Sequence, residues 1–250
     1  SELLAPHFVS YVRDLLGKSY SEDEIQRGGF KIYTSLDLKK QQLAESIVRR
    51  QVDSLSGQNV SNGGLVAIEP QTGQILAMVG SKDWTADAIG GKYNIAVANR
   101  QPGSALKPFT YLAGFQKGMT AATILHDKKT NFGGVPPYIP KNYYKKERGN
   151  VSARQALQNS LNIPAVETLR FVGLPDFITL LHQAGISTLN GSLSDYGLAL
   201  TLGGGEVKLL DLTSAYGMLA TGGIQQDPVA ILRIVNRDGK VVEDRSKPEA

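Results

Sequence analysis

A serine and a lysine three residues apart are the residues of this sequence best suited to do chemistry. Ser104 and Lys107 lie in the segment PGSALKP, residues 102–108. Residues three apart share one face of a helix, so the hydroxyl and the amine can meet. Serine is a poor nucleophile without a base, and a buried lysine can lose its proton and act as one. The pair therefore predicts a nucleophilic serine activated by lysine.

The neighbouring residues indicate that this pair stands at the beginning of a helix. Pro102 and Gly103 interrupt regular structure, and Pro108 is tolerated best in a first helical turn because it has no N–H to donate. A helix N-terminus offers free N–H groups and a positive dipole end, which favour developing negative charge. An S-x-x-K spacing also occurs by chance, and the alternative interpretation is a solvated helix face.

A second polar element, NSLNIP at residues 159–164, places another hydroxyl and an amide two residues apart. In an extended stretch, residues i and i+2 point the same way, so Ser160 and Asn162 can face one cleft while Leu161 packs inward. The alternative is a polar junction between helices, with Ser160 or Asn162 as an N-cap before Pro164. That alternative is compatible with a catalytic role.

Together, S-x-x-K and S-x-N are two of the three elements that mark penicillin-binding proteins and related serine β-lactamases. Leu161 stands where β-lactamases carry aspartate. Further segments, in the same order and along nearly the whole chain, resemble a bifunctional class A penicillin-binding protein. These segments are PHFV (6–9), GFKIYTSLD (29–37), LVAIEP (65–70), ILAMVG (75–80), RQAL (154–157) and AYG (215–217).

The resemblance implies an α+β fold class, with an antiparallel sheet and helices on its faces, as in the penicillin-binding and serine β-lactamase transpeptidase fold. Residues 1–60 would form a linker module between a glycosyltransferase domain and the transpeptidase domain. Residues 61–250 would form the N-terminal portion of the transpeptidase domain. The order of predicted elements, strands followed by helices and then strands, independently favours α+β with an antiparallel sheet.

The resemblance also implies a serine D,D-transpeptidase that crosslinks peptidoglycan stem peptides ending in D-Ala-D-Ala. Ser104 would attack the penultimate D-Ala carbonyl, and β-lactam antibiotics would acylate the same serine. Lys107 would be the base for acylation. Ser160 would relay a proton to the leaving nitrogen, and Asn162 would bind the substrate amide and hold Lys107. The backbone N–H of Ser104 would supply one oxyanion donor.

The third family element, Lys-Thr-Gly or Lys-Ser-Gly, is not found in this sequence. Residues 129–131 read Lys-Thr-Asn, but they fall between the first two elements, and asparagine has a side chain where close backbone approach needs glycine. We therefore expect a C-terminal remainder of the transpeptidase domain as a partner, and stable folding only with it. The resemblance implies location on the extracytoplasmic face of the bacterial membrane, through an N-terminal anchor of the full-length protein.

Composition excludes several other classes of function. The chain has no cysteine, and its three histidines are far apart, so we expect no disulfide, no metal site and no cofactor. The net charge of +4 is diffuse, and no basic cluster with interleaved aromatic residues predicts nucleic-acid binding. The glycine run at 203–205 lacks a following Gly-Lys-Ser/Thr, so it predicts a turn before a helix and not a phosphate loop.

Hydrophobic periodicity predicts the elements that must position these residues. Helices are expected over residues 5–16, 43–55, 104–118, 152–159, 164–172, 175–184 and 206–221. Strands are expected at 30–34, at 65–70 and 74–80 joined as a hairpin, and at 229–235 and 240–243 joined as a second hairpin. Residues 131–150, rich in glycine and proline, predict a long loop of functional importance.

Two other classes of function compete with a transpeptidase. The first is another serine acyl enzyme on the same fold, either a D,D-carboxypeptidase or a β-lactamase. The linker module and Leu161 argue against a β-lactamase. The second is a non-enzymatic binding or scaffolding module whose acyl site is vestigial. The joint presence of Ser104, Lys107, Ser160 and Asn162 argues against that class.

Overall fold

The structure is a computed structural model that describes residues 3–245. Its contacts divide into two compact units. One unit comprises the chain up to Ala98 together with the chain from Lys208 onward, and the other comprises Asn99–Val207. The predicted boundary near residue 60, between a linker module and a transpeptidase portion, stays a prediction, because these units follow a different division of the chain.

The helices and strands agree in type with most of the elements expected from periodicity. The helices are α1 (Pro6–Leu16), α2 (Glu22–Arg27), α3 (Leu38–Ser54), α4 (Lys107–Gln116), α5 (Ala153–Gln158), α6 (Asn162–Val172), α7 (Leu174–Gln183) and α8 (Leu209–Ala220). The strands are β1 (Lys31–Thr34), β2 (Leu65–Ile68), β3 (Ile75–Val79), β4 (Asn99–Arg100), β5 (Ile124–Asp127), β6 (Gly149–Ser152), β7 (Val207–Lys208), β8 (Ile231–Val235) and β9 (Val241–Asp244).

Local side-chain contacts decide where several helices begin. Asp37 accepts a hydrogen bond from Lys40 N, so α3 starts at Leu38, five residues before the expected position. A capping box between Ser21 and Glu24 starts α2, which periodicity did not predict because the helix is only six residues long. A second capping box, between Ser152 and Gln155, starts α5 as expected from Ser152.

The first unit is built on antiparallel strands covered by helices. Strands β1, β8 and β9 form a three-stranded sheet in the order β1-β8-β9, and β2 pairs with β3 as the predicted hairpin. One apolar cluster joins α1 to β3 and β8, with Phe8, Ile75 and Ile234 at its centre. A second cluster packs α3 against Ala77 and Val79 of β3. This arrangement confirms the antiparallel α+β class.

The second unit surrounds helix α4 with α5, α6 and α7 and carries the hairpin of β5 and β6. Tyr111 of α4, Leu125 of β5 and Leu161 share one apolar cluster with α5 and β6. The loop expected at 131–150 is the connection between β5 and β6, although neither strand was predicted. Both strands are four residues long, which is too short for a clear alternating pattern.

Candidate active site

The serine and lysine of the first motif lie where two kinds of helix meet. Gly103–Leu106 is a 3₁₀ turn, and the α-helix begins only at Lys107, three residues later than predicted. The 3₁₀ geometry places residues i and i+3 directly above one another, so Ser104 and Lys107 share an edge of the turn. Ser104 is exposed, whereas Lys107 is 1% exposed. A surface hydroxyl therefore sits one turn from a buried amine.

The amine of Lys107 is held by the second motif. Its Nζ donates to Ser160 O at 2.6 Å and to Asn162 Oδ1 at 2.7 Å, and it lies 3.1 Å from Ser160 Oγ. We call Lys107, Ser160 and Asn162 the lysine cluster. Ser104 lies on the adjoining turn, outside the hydrogen bonds of the cluster. The structure thus brings together three predicted site residues and places the fourth beside them.

Burial changes the acid–base behaviour of this amine. Desolvation lowers the pKa of the Lys107 ammonium from its ordinary value of 10.5 to about 8. No carboxylate forms an ion pair with Lys107 within residues 3–245, so nothing of opposite charge counteracts the desolvation by direct contact. A lysine with this pKa is partly neutral near pH 8, which is the form that a general base requires.

The hydrogen-bond partners also limit where the lone pair of a neutral Lys107 can point. The oxygens Ser160 O and Asn162 Oδ1 carry no hydrogen, so both short contacts are donations from the amine. A neutral amine has two N–H groups, and both donate to these two oxygens. The remaining direction belongs to the lone pair, so in the neutral amine the Ser160 hydroxyl is the donor of the 3.1 Å contact, whereas the ammonium donates to Ser160 Oγ. The hydrogen bonds of the cluster therefore leave the lone pair to a hydroxyl group, and the Ser160 hydroxyl is close enough to occupy it.

Ser160 occupies a backbone conformation that usually belongs to glycine. Its φ is 50°, in the left-handed region. Ser160 N donates to Leu157 O and Leu161 N donates to Ala156 O, the two crossed bonds of a Schellman motif that closes α5. The expectation of an extended stretch at 160–162 is wrong, because this turn leads directly into α6. Leu161 nevertheless packs inward as expected.

Asn162 is the first residue of α6, and both the nitrogen and the oxygen of its side-chain amide form hydrogen bonds. Its Nδ2 donates to Lys141 O at 2.7 Å, which leaves Oδ1 for Lys107. Its backbone N donates to Asn142 Oδ1 at 2.8 Å. Leu161 is the N-cap residue but has no side-chain cap, so neither Ser160 nor Asn162 is the N-cap that the alternative interpretation proposed. Sequence reasoning missed Asn142, which lies twenty residues upstream.

The turn that carries Ser104 is supported by a close approach of two glycines. A Cβ on Gly203 would lie 2.3 Å from Gly103 N. Gly203 also has a φ of 93°, where it ends the 3₁₀ turn Leu198–Leu202. Thr110 of α4 and Thr201 of the same 3₁₀ turn are both buried, and their Oγ1 atoms lie 2.6 Å apart. The glycine run was correctly predicted as a turn, but its contact with the turn that carries Ser104 was not predicted.

The Lys-Thr-Asn segment at 129–131 and the three histidines, which were also considered from the sequence, form hydrogen bonds away from the lysine cluster. Thr130 donates to Lys128 O, and Asn131 accepts from Gly133 N, so the Lys-Thr-Asn segment is engaged in a turn of its own. His7, His126 and His182 contact Ser81, Glu167 and Thr188 respectively. No group of three or more potential metal ligands occurs among the described residues. Between residues 3 and 245, no helix has the length and apolar character to cross a membrane.

Comparison with known proteins gives consistent matches in sequence. The family model described as penicillin binding protein transpeptidase domain matches residues 63–248. Penicillin-binding protein 2D of Bacillus subtilis (strain 168) is 31% identical over 249 residues, covering 97% of this chain and 34% of that protein. Penicillin-binding protein 1A of Aquifex aeolicus (strain VF5) is 39% identical over 186 residues, covering 73% of this chain and 24% of that protein. The chain thus spans about a third or less of these relatives.

Solved structures show the same fold. PonA1 of Mycobacterium tuberculosis, in complex with penicillin V, superposes with a TM-score of 0.82 at 22% identity, covering 97% of this chain and 66% of that one. Penicillin-binding protein 1A of Haemophilus influenzae superposes with a TM-score of 0.83 at 20% identity, covering 97% of this chain and 50% of that one. The resemblance seen in the motifs is confirmed: the chain belongs to the penicillin-binding protein transpeptidase family.

Proposed function

We propose that this protein is a serine D,D-transpeptidase that crosslinks peptidoglycan stem peptides through an acyl-enzyme on Ser104. One observation carries the proposal: the buried amine of Lys107, with a pKa of about 8, is held by Ser160 and Asn162 one turn from an exposed serine hydroxyl. Membership of the penicillin-binding transpeptidase family supports the same reaction class. The stem-peptide substrate and the D,D stereochemistry follow from the family resemblance alone.

Acylation would proceed by proton transfers within the lysine cluster. Ser104 Oγ forms a bond to the penultimate D-Ala carbonyl carbon as its proton passes to neutral Lys107. The proton then moves through Ser160 Oγ to the leaving nitrogen, the C–N bond breaks, and terminal D-Ala departs. An acceptor amine then attacks the ester, its proton returns through the same groups to Ser104 Oγ, and a new amide bond forms. General base help of this kind contributes on the order of 10² to 10⁴ in rate.

The carbonyl oxygen of the substrate needs hydrogen-bond donors in the transition state. The N–H of Ser104 stands at the start of a helical turn, where the dipole favours negative charge. We propose that the second donor comes from a strand carrying Lys-Thr-Gly in a C-terminal remainder of the transpeptidase domain. Each such donor is worth about 10² to 10³ in rate, so we expect full activity only where both donors are present.

β-Lactam antibiotics are the second ligand class that we propose for this site. The structural relative PonA1 was solved in complex with penicillin V, and penicillin-binding protein A of Mycobacterium tuberculosis as a ceftriaxone acyl-enzyme. We propose the same acylation at Ser104. We further propose the extracytoplasmic face of the bacterial membrane as the site of action, since peptidoglycan lies there, with anchoring by a membrane segment of the full-length protein.

Labelling with a fluorescent penicillin tests this function directly. We expect the protein at its natural length to form a covalent adduct on Ser104, located by mass spectrometry of its peptides. Ser104→Ala should abolish the adduct, whereas Ser194→Ala, another exposed serine of the same unit, should leave it intact. A D-Ala-D-Ala peptide supplied with an acceptor amine should yield crosslinked product. Release of D-Ala without transfer would favour a carboxypeptidase, and labelling of Ser104→Ala at the normal rate would refute the assignment.

A further inference from the structure

We propose that Asn142 is a positioning residue for Lys107, acting through Asn162 and anchored by the buried carboxylate of Asp127. The inference rests on the proposed function, because it concerns the base of that reaction. Asn142 lies in the long connection between β5 and β6, and Asp127 is the last residue of β5. Neither residue contacts Lys107 directly.

Every hydrogen-bonding position of the Asn142 side chain is occupied. Its Nδ2 donates to Asp127 Oδ1 at 2.7 Å and to Lys146 O at 2.9 Å. Its Oδ1 accepts from Asn162 N at 2.8 Å and from Ile163 N at 3.4 Å. The amide is 7% exposed and has one workable orientation, because a flip would set Nδ2 against two N–H donors and Oδ1 against a carboxylate.

The hydrogen bond to the Asp127 carboxylate stabilises this orientation of the Asn142 amide. The residue is fully buried, and its other oxygen accepts from Arg148 N at 2.9 Å. Within residues 3–245, Asp127 makes no ion pair. A buried carboxylate satisfied only by hydrogen bonds is a poor source of stability, since its desolvation offsets most of what the bonds contribute. Its charge instead strengthens the bond that fixes the Asn142 amide.

Asn142 and its neighbour Lys141 together hold Asn162 in its backbone and its side chain. The first N–H groups of α6 have no local cap, and Asn142 Oδ1 supplies the acceptor from outside the helix. Lys141 O accepts a hydrogen bond from Asn162 Nδ2, and this bond orients Asn162 Oδ1 towards Lys107. If residues 141–142 moved, the Asn162 amide could rotate and present a donor to Lys107 in place of an acceptor. One N–H of the ammonium would then lose its partner.

This arrangement predicts an effect on the acid–base behaviour of Lys107 and not only on folding. Loss of the Asn162 acceptor removes a hydrogen bond that favours the charged form of the amine, so the pKa of Lys107 should fall. The acid limb of the acylation profile should therefore move to lower pH. The rate at the optimum should fall on the order of tenfold, because the amine is no longer held in one position.

The test compares Asn142→Ala with Val166→Ala in the protein at its natural length. Val166 is a buried residue of α6 with an apolar side chain, so Val166→Ala weakens the same helix without removing a hydrogen-bonding group. Two readouts are used: penicillin acylation of Ser104 as a function of pH, and a ¹³C NMR titration of Lys107 Cε, assigned with Lys107→Ala. We expect Asn142→Ala to lower both midpoints and slow acylation, and Val166→Ala to change neither.

A charge swap keeps the proposal open to test if Asn142→Ala fails to fold. In Asp127→Asn/Asn142→Asp, the new amide can donate to the new carboxylate while still accepting from Arg148 N, and the carboxylate can still cap α6, so the swap loses only the donation to Lys146 O. We expect this double variant to acylate at no less than half of the wild-type rate. Both midpoints should be higher than in the wild type, because the negative charge then lies on residue 142, which contacts Asn162, and no longer on residue 127.

The outcomes separate this inference from the proposed function. Wild-type midpoints and rates in Asn142→Ala would overturn the inference, as would equal changes in Val166→Ala or an unshifted midpoint in the folded swap. A wild-type protein that penicillin does not label at Ser104 would overturn the proposed function instead. The NMR titration would then still decide whether Asn142 controls the pKa of Lys107.

Discussion

Lys107 Nζ and Asn162 Oδ1 lie 2.7 Å apart, although 55 residues separate them in the chain. This contact joins the two polar motifs and connects α4, which follows the turn carrying Ser104, to the N-terminus of α6. Because Lys107 is buried, the contact replaces water that the ammonium has lost. It leaves the amine oriented while its pKa is lowered.

The pH dependence of acylation should follow the protonation of Lys107. With a pKa of about 8, the amine is mostly charged at pH 6 and mostly neutral at pH 10. We expect the second-order rate of penicillin acylation to rise up to about tenfold per pH unit below pH 8 and to level above it. Stopped-flow labelling across pH 6–10 measures this profile. A flat profile would show that another group is the base.

The same shift affects stability in a window that can be measured. The folded pKa of Lys107 lies below its unfolded value, so the unfolded chain binds more protons between about pH 8 and 10.5. The unfolding free energy of the wild type relative to Lys107→Met should therefore rise through this window, by at most about 1.4 kcal/mol per pH unit. Urea titrations of both proteins at several pH values measure the difference. A constant difference would contradict the lowered pKa.

Replacing Ser160 should separate its backbone role from its hydroxyl. Ser160→Gly and Ser160→Ala both remove the hydroxyl, so each should slow acylation by on the order of 10² or more. Only glycine adopts the φ of 50° without strain, so Ser160→Gly should be about 1 kcal/mol more stable than Ser160→Ala. Thermal melts of the pair measure the difference. Equal stability would contradict the left-handed conformation.

A methyl group on Gly203 should displace the turn that carries Ser104. The added Cβ would lie 2.3 Å from Gly103 N, far inside van der Waals contact, and Gly203 also has a positive φ. We expect Gly203→Ala to lower the acylation rate on the order of tenfold or more. Gly197 is the matched control, because it precedes the same 3₁₀ turn and a Cβ there meets nothing within 4 Å. Labelling rates of the two variants give the comparison, and equal rates would refute the displacement.

In the first unit, His7 should make stability sensitive to acid. His7 is 4% exposed, and its Nε2 lies 2.9 Å from Ser81 Oγ, which donates to Gly91 O. Nε2 therefore carries the hydrogen, and the buried Nδ1 has no hydrogen-bond partner among the described residues. Burial lowers the pKa of His7, so protonation costs more in the folded state than in the unfolded chain.

The sign of this effect follows from linkage. Stability is complete above the unfolded pKa of about 6.5 and falls as the pH drops below it, by at most about 1.4 kcal/mol per pH unit. His7→Gln keeps a donor for Ser81 without a titrating group and should reduce this loss between pH 6.5 and 5. His182→Gln, at an exposed position, serves as the control. Denaturant titrations at each pH provide the measurement, and an unchanged pH dependence in His7→Gln would contradict the assignment.

The sequence singled out residues that meet around Lys107 in the structure, but it did not predict all of their conformations. The catalytic roles of Ser104, Lys107, Ser160 and Asn162 stay a prediction, which rests on hydroxyls, an amine and an amide at spacings that suit nucleophilic catalysis. The extended stretch at Ser160 was wrong because a serine in a Schellman turn gives no local signal, since that position usually belongs to glycine. The later start of α4 was missed because the sequence around Ser104 does not separate a 3₁₀ turn from the first turn of an α-helix.

Long-range contacts account for what the sequence left open. Asn142 and Asp127 lie in segments with no apolar period, and their importance arises only when β5 and the following loop fold against α6. Gly203 likewise acquires its role by approaching Gly103, a hundred residues earlier. The sequence by itself determined which groups can react, because side-chain chemistry and local periodicity are written in neighbouring residues. The tertiary structure decided the burial, orientation and pKa of the Lys107 amine, because desolvation and hydrogen-bond partners depend on segments that meet only in the folded chain.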